Sequence, residues 1–224
     1  MFNTRQITLK ESIRFTASLL FWIPVFFFSL LLVRNTLPYF SFSPDFSFIE
    51  ERARLFAKPL YSFCFYTHIF AGMVCIVGAL IQFSSYILRK RKAIHVWSGK
   101  IYVFVVLFIG APTGLYMSFF AKGGLGERAL FVFMALFWFY STLKGFQTIL
   151  KGNVLAHKLW MIRSYSMALT AVTFRIYHIV FYILDWGHLE NYEISLWISV
   201  IGNMAVAEWI IYRSNKQYLK TFLT

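Results

Sequence analysis

The sequence predicts an all-α integral membrane protein, a bundle of six transmembrane helices with a four-helix core formed by its second to fifth spans. Hydrophobic residues make up 59% of the 224 positions and charged residues only 14%, whereas about a quarter of a soluble domain is charged. Six apolar stretches approach the roughly 20 residues that cross a bilayer core. The basic residues cluster between those stretches. Lipid is therefore the expected solvent.

The predicted spans cover residues 15–33, 60–88, 96–120, 129–150, 159–184 and 194–212, within one domain of 224 residues. Arg5, Lys10 and Arg14 precede the first span, as they would in a secretion signal. However, its apolar part is longer than that of a signal peptide, and no small-residue cleavage pattern follows it. We therefore expect a permanent membrane anchor.

The net charge of +13 follows the topology of the chain and does not indicate nucleic-acid binding. Cytoplasmic loops of membrane proteins are enriched in lysine and arginine, and four basic segments fall on one side of a six-span topology. They are Arg5, Lys10 and Arg14; Arg89, Lys90, Arg91 and Lys92; Lys151 and Lys158; and Arg213, Lys216 and Lys220. We expect both termini in the cytoplasm, an inner (plasma) membrane location, and contact with anionic lipid head groups.

The gap after the first span has two interpretations. From residue 46 to residue 57 apolar and charged residues alternate, and Ile49, Ala53 and Phe56 are spaced for one helical face. This pattern predicts a short helix lying in the head-group layer. An ordinary aromatic-rich loop fits equally well.

Three histidines, His68, His95 and His157, lie in predicted spans, where polar side chains are costly and usually have a partner, a ligand or a proton to handle. His95 and His157 open the third and fifth spans at the same predicted depth. Two such histidines on different helices can hold one metal or haem iron. Alternatively, each is an interfacial histidine that needs no ligand.

His68 has a stripe of small residues beside it at helical spacing, namely Cys64, Gly72, Cys75 and Ala79. Small residues allow close approach of another helix, or leave room for a flat macrocycle. Beyond His68, the third span contains Gly110, Pro112 and Gly114, which predict a kink.

Three charged residues also fall within predicted spans. Arg163 lies about one turn inside the fifth span, where it can snorkel or meet haem propionates or lipid phosphates. Arg175 lies deeper and should face the bundle interior or water. Glu208 is the acidic residue well inside the last span. No catalytic residue is predicted, because no nucleophile elbow or zinc-protease motif occurs.

These residues form a motif set that resembles a bacterial multi-pass membrane family catalogued as domain of unknown function 2306. The motifs are Pro59, His68-Ile-Phe-Ala-Gly72, Gly78 and Gln82; His95-x-x-x-Gly99-x-x-Tyr102; Gly110-Ala-Pro-Thr-Gly114; His157-Lys-Leu-Trp-Met161-Ile-Arg163; and Thr173-Phe-Arg175. The resemblance spans about residues 59–175, four of the six spans. It implies a helical membrane core with the three histidines as hallmark positions, and no established activity.

The chain is also loosely similar to the transmembrane di-haem cytochromes b, which hold two haems in a four-helix core by paired histidines. His95 and His157 look like one such pair. The second pair is incomplete, because the fourth span has no histidine. The resemblance therefore implies at most a single haem b.

Three functions remain as hypotheses. The first is electron transfer through a haem b between His95 and His157, with Arg163 or the run 89–92 near its propionates, His68 as an outer ligand or quinone contact, and a redox partner on each side. The second is a proton-coupled transporter with His68, Arg175 and Glu208 along its path. The third is a non-catalytic subunit or assembly factor. Cofactor contacts are thus expected at His68, Gly72, His95, Gly99, Tyr102, His157, Arg163 and Arg175.

Overall fold

A computed structural model of the chain describes the backbone of residues 9–222, and the side chains of Thr16, Leu20 and residues 22–214. Arg5 lies outside the described residues. Within this part of the chain the regular structure is entirely helical. Six helices are long and apolar enough to cross a membrane. The predicted six-span all-α bundle is therefore confirmed.

The six spans follow one another as antiparallel neighbours. Their helices are Leu9–Thr36 (span 1), Pro59–Gln82 (span 2), Lys92–Ser118 (span 3), Leu125–Leu150 (span 4), Val154–Ile183 (span 5) and His188–Phe222 (span 6). The turns at 83–91 and 151–153 lie at one end, which we call the basic end. The segments 37–58, 119–124 and 184–187 lie at the other, which we call the opposite end.

The largest buried cluster joins spans 2, 3 and 5. Ala71, Cys75 and Ala79 of span 2 form a small-residue face against which the Tyr102 and Tyr165 rings pack. Trp138 of span 4 packs against the same cluster. Because lipid supplies no hydrophobic drive between helices, close packing of this kind provides the cohesion. The core thus comprises the four spans that the sequence predicts.

Spans 1 and 6 flank this core. Span 1 contributes Leu32, which packs with Ile76 of span 2 and Val172 of span 5. Span 6 packs along span 5, where Ile162 meets Ala207 and Ile211.

Span 2 ends at Gln82, six residues before the predicted boundary at residue 88. The Ser84 side chain accepts a hydrogen bond from the Ile87 amide and caps a separate helix, Ser85–Lys90. Tyr86 and Leu88 in that helix are 63% and 50% exposed. Hydropathy alone did not reveal this break, because the apolar residues continue past the capping serine.

The region of span 3 in which a kink is predicted contains a π-helical turn. An α-helix over Lys92–Val105 widens into a π-turn over Val106–Gly110, and a second α-helix runs over Ala111–Ser118. Pro112 has no N–H to donate back along the helix, and such wide turns often lie at functional sites. The turn therefore accommodates the proline without ending the span.

The gap after span 1 folds onto the bundle as three short helical turns. They are the 3₁₀-turn Leu37–Ser41 and the single α-turns Ser47–Glu50 and Ala53–Phe56. The Phe56 ring packs edge-on against Tyr61 and Phe65, with ring centroids 5.3 and 4.9 Å apart. The predicted helical face is therefore divided between two turns that cover the opposite end.

Candidate functional site

His157 is held in one orientation at the basic end. Its Nδ1 lies 2.8 Å from the Gly145 carbonyl oxygen of span 4. A carbonyl only accepts hydrogen bonds, so Nδ1 carries the proton and Nε2 carries the lone pair. Backbone carbonyls commonly orient metal-binding histidines in this way. Gly145 allows the approach, because a Cβ there would lie 2.6 Å from Met161 Sδ.

His95 lies near the start of span 3 at the basic end, where His157 lies near the start of span 5. The two imidazoles interact electrostatically. His95 Nδ1 is buried and has no hydrogen-bond partner. Buried polar atoms without a partner are rare, and each one calls for an explanation. The structure thus places both histidines at the same end of the bundle and leaves one nitrogen of His95 unsatisfied.

Gln82 fixes the backbone that carries His95. Its Nε2 donates to the His95 carbonyl oxygen and to Ser98 Oγ, both at 2.6 Å. A Cβ at Gly99 would lie 3.2 Å from Gln82 Oε1. The missing side chain at Gly99 thus allows this close contact between spans 2 and 3. Gly99 affects His95 indirectly, because it leaves room for the Gln82 side chain that holds the His95 backbone.

Tyr102 joins three spans in the middle of the bundle. Its hydroxyl lies 2.9 Å from Ser164 Oγ and accepts a 3.2 Å hydrogen bond from Trp138 Nε1. Ser164 Oγ is also 2.7 Å from Thr142 Oγ1. Tyr102 lies seven residues, about 10 Å, deeper than His95 along the helix. This polar network links spans 3, 4 and 5.

Arg163 is bound by Glu208 of span 6. Arg163 Nε lies 2.5 Å from Glu208 Oε1, and Nη2 lies 2.9 Å from Oε2. The guanidinium also stacks 4.7 Å from the Trp160 ring centroid. This bidentate pair accounts for both charged residues as a link between spans 5 and 6.

The half of the bundle toward the opposite end encloses a cavity of about 350 Å³, lined by residues of spans 2 to 6 and of the 37–58 segment. His68 is part of its wall. His68 Nδ1 donates to the Gly110 carbonyl oxygen at 3.0 Å, which leaves the lone pair on Nε2. His68 is therefore oriented like His157, but in a separate site.

Arg175 lines the same cavity as His68. Its Nη1 donates to the Ala171 carbonyl oxygen at 2.8 Å, and no carboxylate pairs with it among the described side chains. Of the three residues of the transporter hypothesis, His68 and Arg175 therefore line one cavity, while Glu208 is bound to Arg163 in the other half.

The sequence did not predict that two further cations, Arg52 and Lys122, line this cavity. They lie in different interhelical segments, 70 residues apart in the chain, and sequence carries no signal that pairs such segments. Gly145 was also missed. It continues the small-residue face of Ser141 and Thr142 in span 4, a spacing from which a close approach to span 5 could have been predicted.

A known protein family matches the part of the chain that contains most of these residues. The family described as "Predicted membrane protein (DUF2306)" matches residues 65–211, about two thirds of the chain. The chain belongs to this family. The match includes all three histidines and most of span 6. No curated protein and no solved structure matches the chain.

The family and the six spans establish a multi-pass membrane protein in contact with lipid. No group of three or more histidine, cysteine, aspartate or glutamate side chains able to hold a metal ion occurs among the residues described. The donor set at the basic end is a pair of imidazoles. Iron in a porphyrin needs only axial ligands from the protein, so this pair and a haem remain compatible.

Gly114 and Gly72 provide a test of how His68 is held. A Cβ at Gly114 would lie 2.8 Å from His68 Cε1, whereas a Cβ at Gly72 would meet nothing within 4 Å. We expect Gly114→Ala to displace the imidazole and cost about 1–3 kcal/mol, as overpacking does. Gly72→Ala, the matched control, should not lower the melting temperature, because its Cβ meets nothing and alanine favours the helix.

Heating in the presence of a thiol-reactive fluorescent dye measures the melting temperature of each variant. The dye reports unfolding because the free cysteines Cys64 and Cys75 are buried in the folded protein. Equal melting temperatures for the two glycine variants would contradict the packing of His68 against Gly114.

Proposed function

We propose that the protein is a b-type haem-binding electron-transfer protein of the inner (plasma) membrane, with iron ligated by His95 and His157 and with the basic end in the cytoplasm. The proposal rests on two imidazoles that lie near the starts of spans 3 and 5 at the basic end and interact electrostatically. The positive-inside rule supports the orientation.

The residues present fit the group on two counts. The bond from His157 Nδ1 to the Gly145 carbonyl leaves the Nε2 lone pair free, as an axial ligand requires. His95 has a buried Nδ1 with no partner, which indicates that this ring belongs to an incomplete polar site. Imidazole pairs are established axial ligands of haem iron.

The bound haem would supply one-electron chemistry between ferric and ferrous iron. The chain itself supplies ligation, orientation and a low-dielectric surrounding. Gln82 fixes the backbone of His95 and Gly145 fixes the ring of His157. The run Arg89, Lys90, Arg91 and Lys92 offers positive charge for propionates at the same end. A quinone or a protein redox partner has to deliver and remove the electron.

The absorption spectrum of the purified protein tests the proposal. The protein is isolated in detergent from cells supplied with a haem precursor, and spectra are recorded before and after dithionite. We expect a Soret band, with α and β bands that sharpen on reduction. A protein with full helical circular dichroism that stays colourless, even after titration with haemin, would overturn the proposal.

A further inference from the structure

We propose that the cavity in the half toward the opposite end binds an amphipathic carboxylate, with its apolar body between spans 2 to 6 and its carboxylate near Arg52 and Arg175. This site is separate from the His95–His157 pair and does not depend on the proposed haem. Its volume of about 350 Å³ falls in the range of small-molecule sites, roughly 300–1,000 Å³.

The body of the cavity is apolar. Its wall includes Met117, Phe131, Met134, Met167 and Phe174. Methionine side chains adapt to irregular ligands because they are flexible and polarizable. Such a lining disfavours a small inorganic anion, which would have to give up its water without recovering hydrogen bonds. It favours a ligand with a substantial hydrocarbon part.

The charges around the cavity are all positive or neutral. The cations in its wall are Arg52, Lys122 and Arg175, its other titratable side chains are Tyr61, His68, Cys75 and Tyr192, and no aspartate or glutamate is part of it. Lys122 forms an ion pair with Glu51, which holds the pKa of that carboxyl below its usual value. Among the described side chains neither arginine forms an ion pair, and Arg52 interacts with the Glu51 carboxylate only at longer range.

Arg52 has one buried side-chain nitrogen that takes part in no hydrogen bond. Its Nη1 donates to the Phe120 carbonyl oxygen at 2.8 Å and to Tyr61 Oη at 3.3 Å. Its Nε is buried and has no hydrogen-bond partner. Both existing partners are neutral, so no direct ion pair with a described side chain balances the guanidinium charge. A carboxylate bound across Nε would satisfy the buried donor and the charge together.

Arg175 provides the second unpaired charge. It lies eight residues, about 12 Å, from the end of span 5 at Ile183. Its hydrogen bond among the described residues goes to the neutral Ala171 carbonyl. A charged side chain at this depth is costly and is normally paired. An anion in the cavity removes that cost, which gives the ligand's charge a direct energetic role.

Two kinds of ligand share this chemistry: a long-chain fatty acid and a carboxylate-bearing macrocycle. His68 separates them. The Nε2 lone pair of His68 would ligate iron in a macrocycle, whereas a hydrocarbon chain has no use for it. Competition with haemin, compared between the unmodified protein and a His68 variant, therefore distinguishes the two ligands.

Trp138 lies in the cavity wall, so bromine on a bound ligand quenches its fluorescence. The probes are dibromostearic acid and dibromostearyl alcohol, which share one chain and differ in charge, and a Trp138→Phe variant supplies the background from the other tryptophans. We expect the acid to bind at least tenfold more tightly than the alcohol. Arg52→Gln and Arg175→Gln should each reduce that preference, and the double variant should abolish it.

Arg128→Gln is the matched control, because Arg128 is an exposed cation near the same end but outside the cavity wall. It should keep the full preference. Equal binding of acid and alcohol by the unmodified protein, or an unchanged preference in Arg52→Gln/Arg175→Gln, would overturn the proposal. Thermal melting verifies that each variant is folded, and Arg175→Lys retains the charge if Arg175→Gln does not fold.

Competition with haemin then distinguishes the ligand class. If haemin displaces the brominated acid from the unmodified protein but not from His68→Ala, the site takes the macrocycle. If displacement is the same in both, or absent, the long-chain carboxylate is the ligand. Neither outcome depends on a Soret band at His95 and His157, so failure of the haem proposal and failure of this one are distinguishable.

Discussion

Replacing His157 by alanine is expected to abolish the reduced α and β bands of the purified protein. The substitution would remove one of the two proposed iron ligands, together with the hydrogen bond to Gly145. His95→Ala should have the same effect, because it would remove the other proposed ligand. Either variant can keep haem through the remaining histidine, but it should lose the sharp reduced bands that two imidazole ligands produce.

His178→Ala is the matched control for these variants. His178 lies at the opposite end, stacked on Phe174 with ring centroids 5.6 Å apart, and should leave the spectrum unchanged. Free imidazole added to His157→Ala should restore part of the bands by filling the vacated space. Bands that persist in both His95→Ala and His157→Ala would place any haem elsewhere, with His68 the next residue to replace.

Replacing Tyr102 by alanine is expected to destabilise the bundle by about 3–5 kcal/mol, the usual cost of an aromatic core truncation. Tyr102 is 2% exposed and packs against Cys75, Ala79 and Tyr165. The alanine variant loses that packing and strands the Ser164 hydroxyl and the Trp138 indole N–H. Tyr102→Phe keeps the ring and should cost only about 1–2 kcal/mol, the value of the lost hydrogen bonds.

Phe108→Ala provides the comparison in the same span, because Phe108 is 68% exposed on the lipid-facing surface. It should leave the melting temperature nearly unchanged. Melting followed by circular dichroism in one detergent ranks the three variants. Similar temperatures for Tyr102→Ala and Phe108→Ala would show that the Tyr102 network does not hold spans 3, 4 and 5 together.

The sequence was sufficient for the architecture because lipid imposes simple requirements on a chain. A spanning segment has to make all its backbone hydrogen bonds within its own helix and be long enough to cross the bilayer core. Such a segment is a long apolar run, which a hydropathy profile detects. The break at Pro112 follows from the missing amide proton of proline. The end of span 2 was not predicted, because one capping hydrogen bond at Ser84 outweighs the apolar residues that follow it.

In the candidate sites too, some features follow from the sequence and others only from the fold. That His95 and His157 open two spans on one side follows from the sequence, and so does the presence of an arginine deep in span 5. That Arg163 is bound to Glu208, and that Arg52 joins His68 and Arg175 around one cavity, follows only from the fold. Depth along a helix is readable from residue spacing, at 1.5 Å per residue. The rotation of one helix against another, and the packing of interhelical segments over the bundle, depend on contacts between residues far apart in the chain.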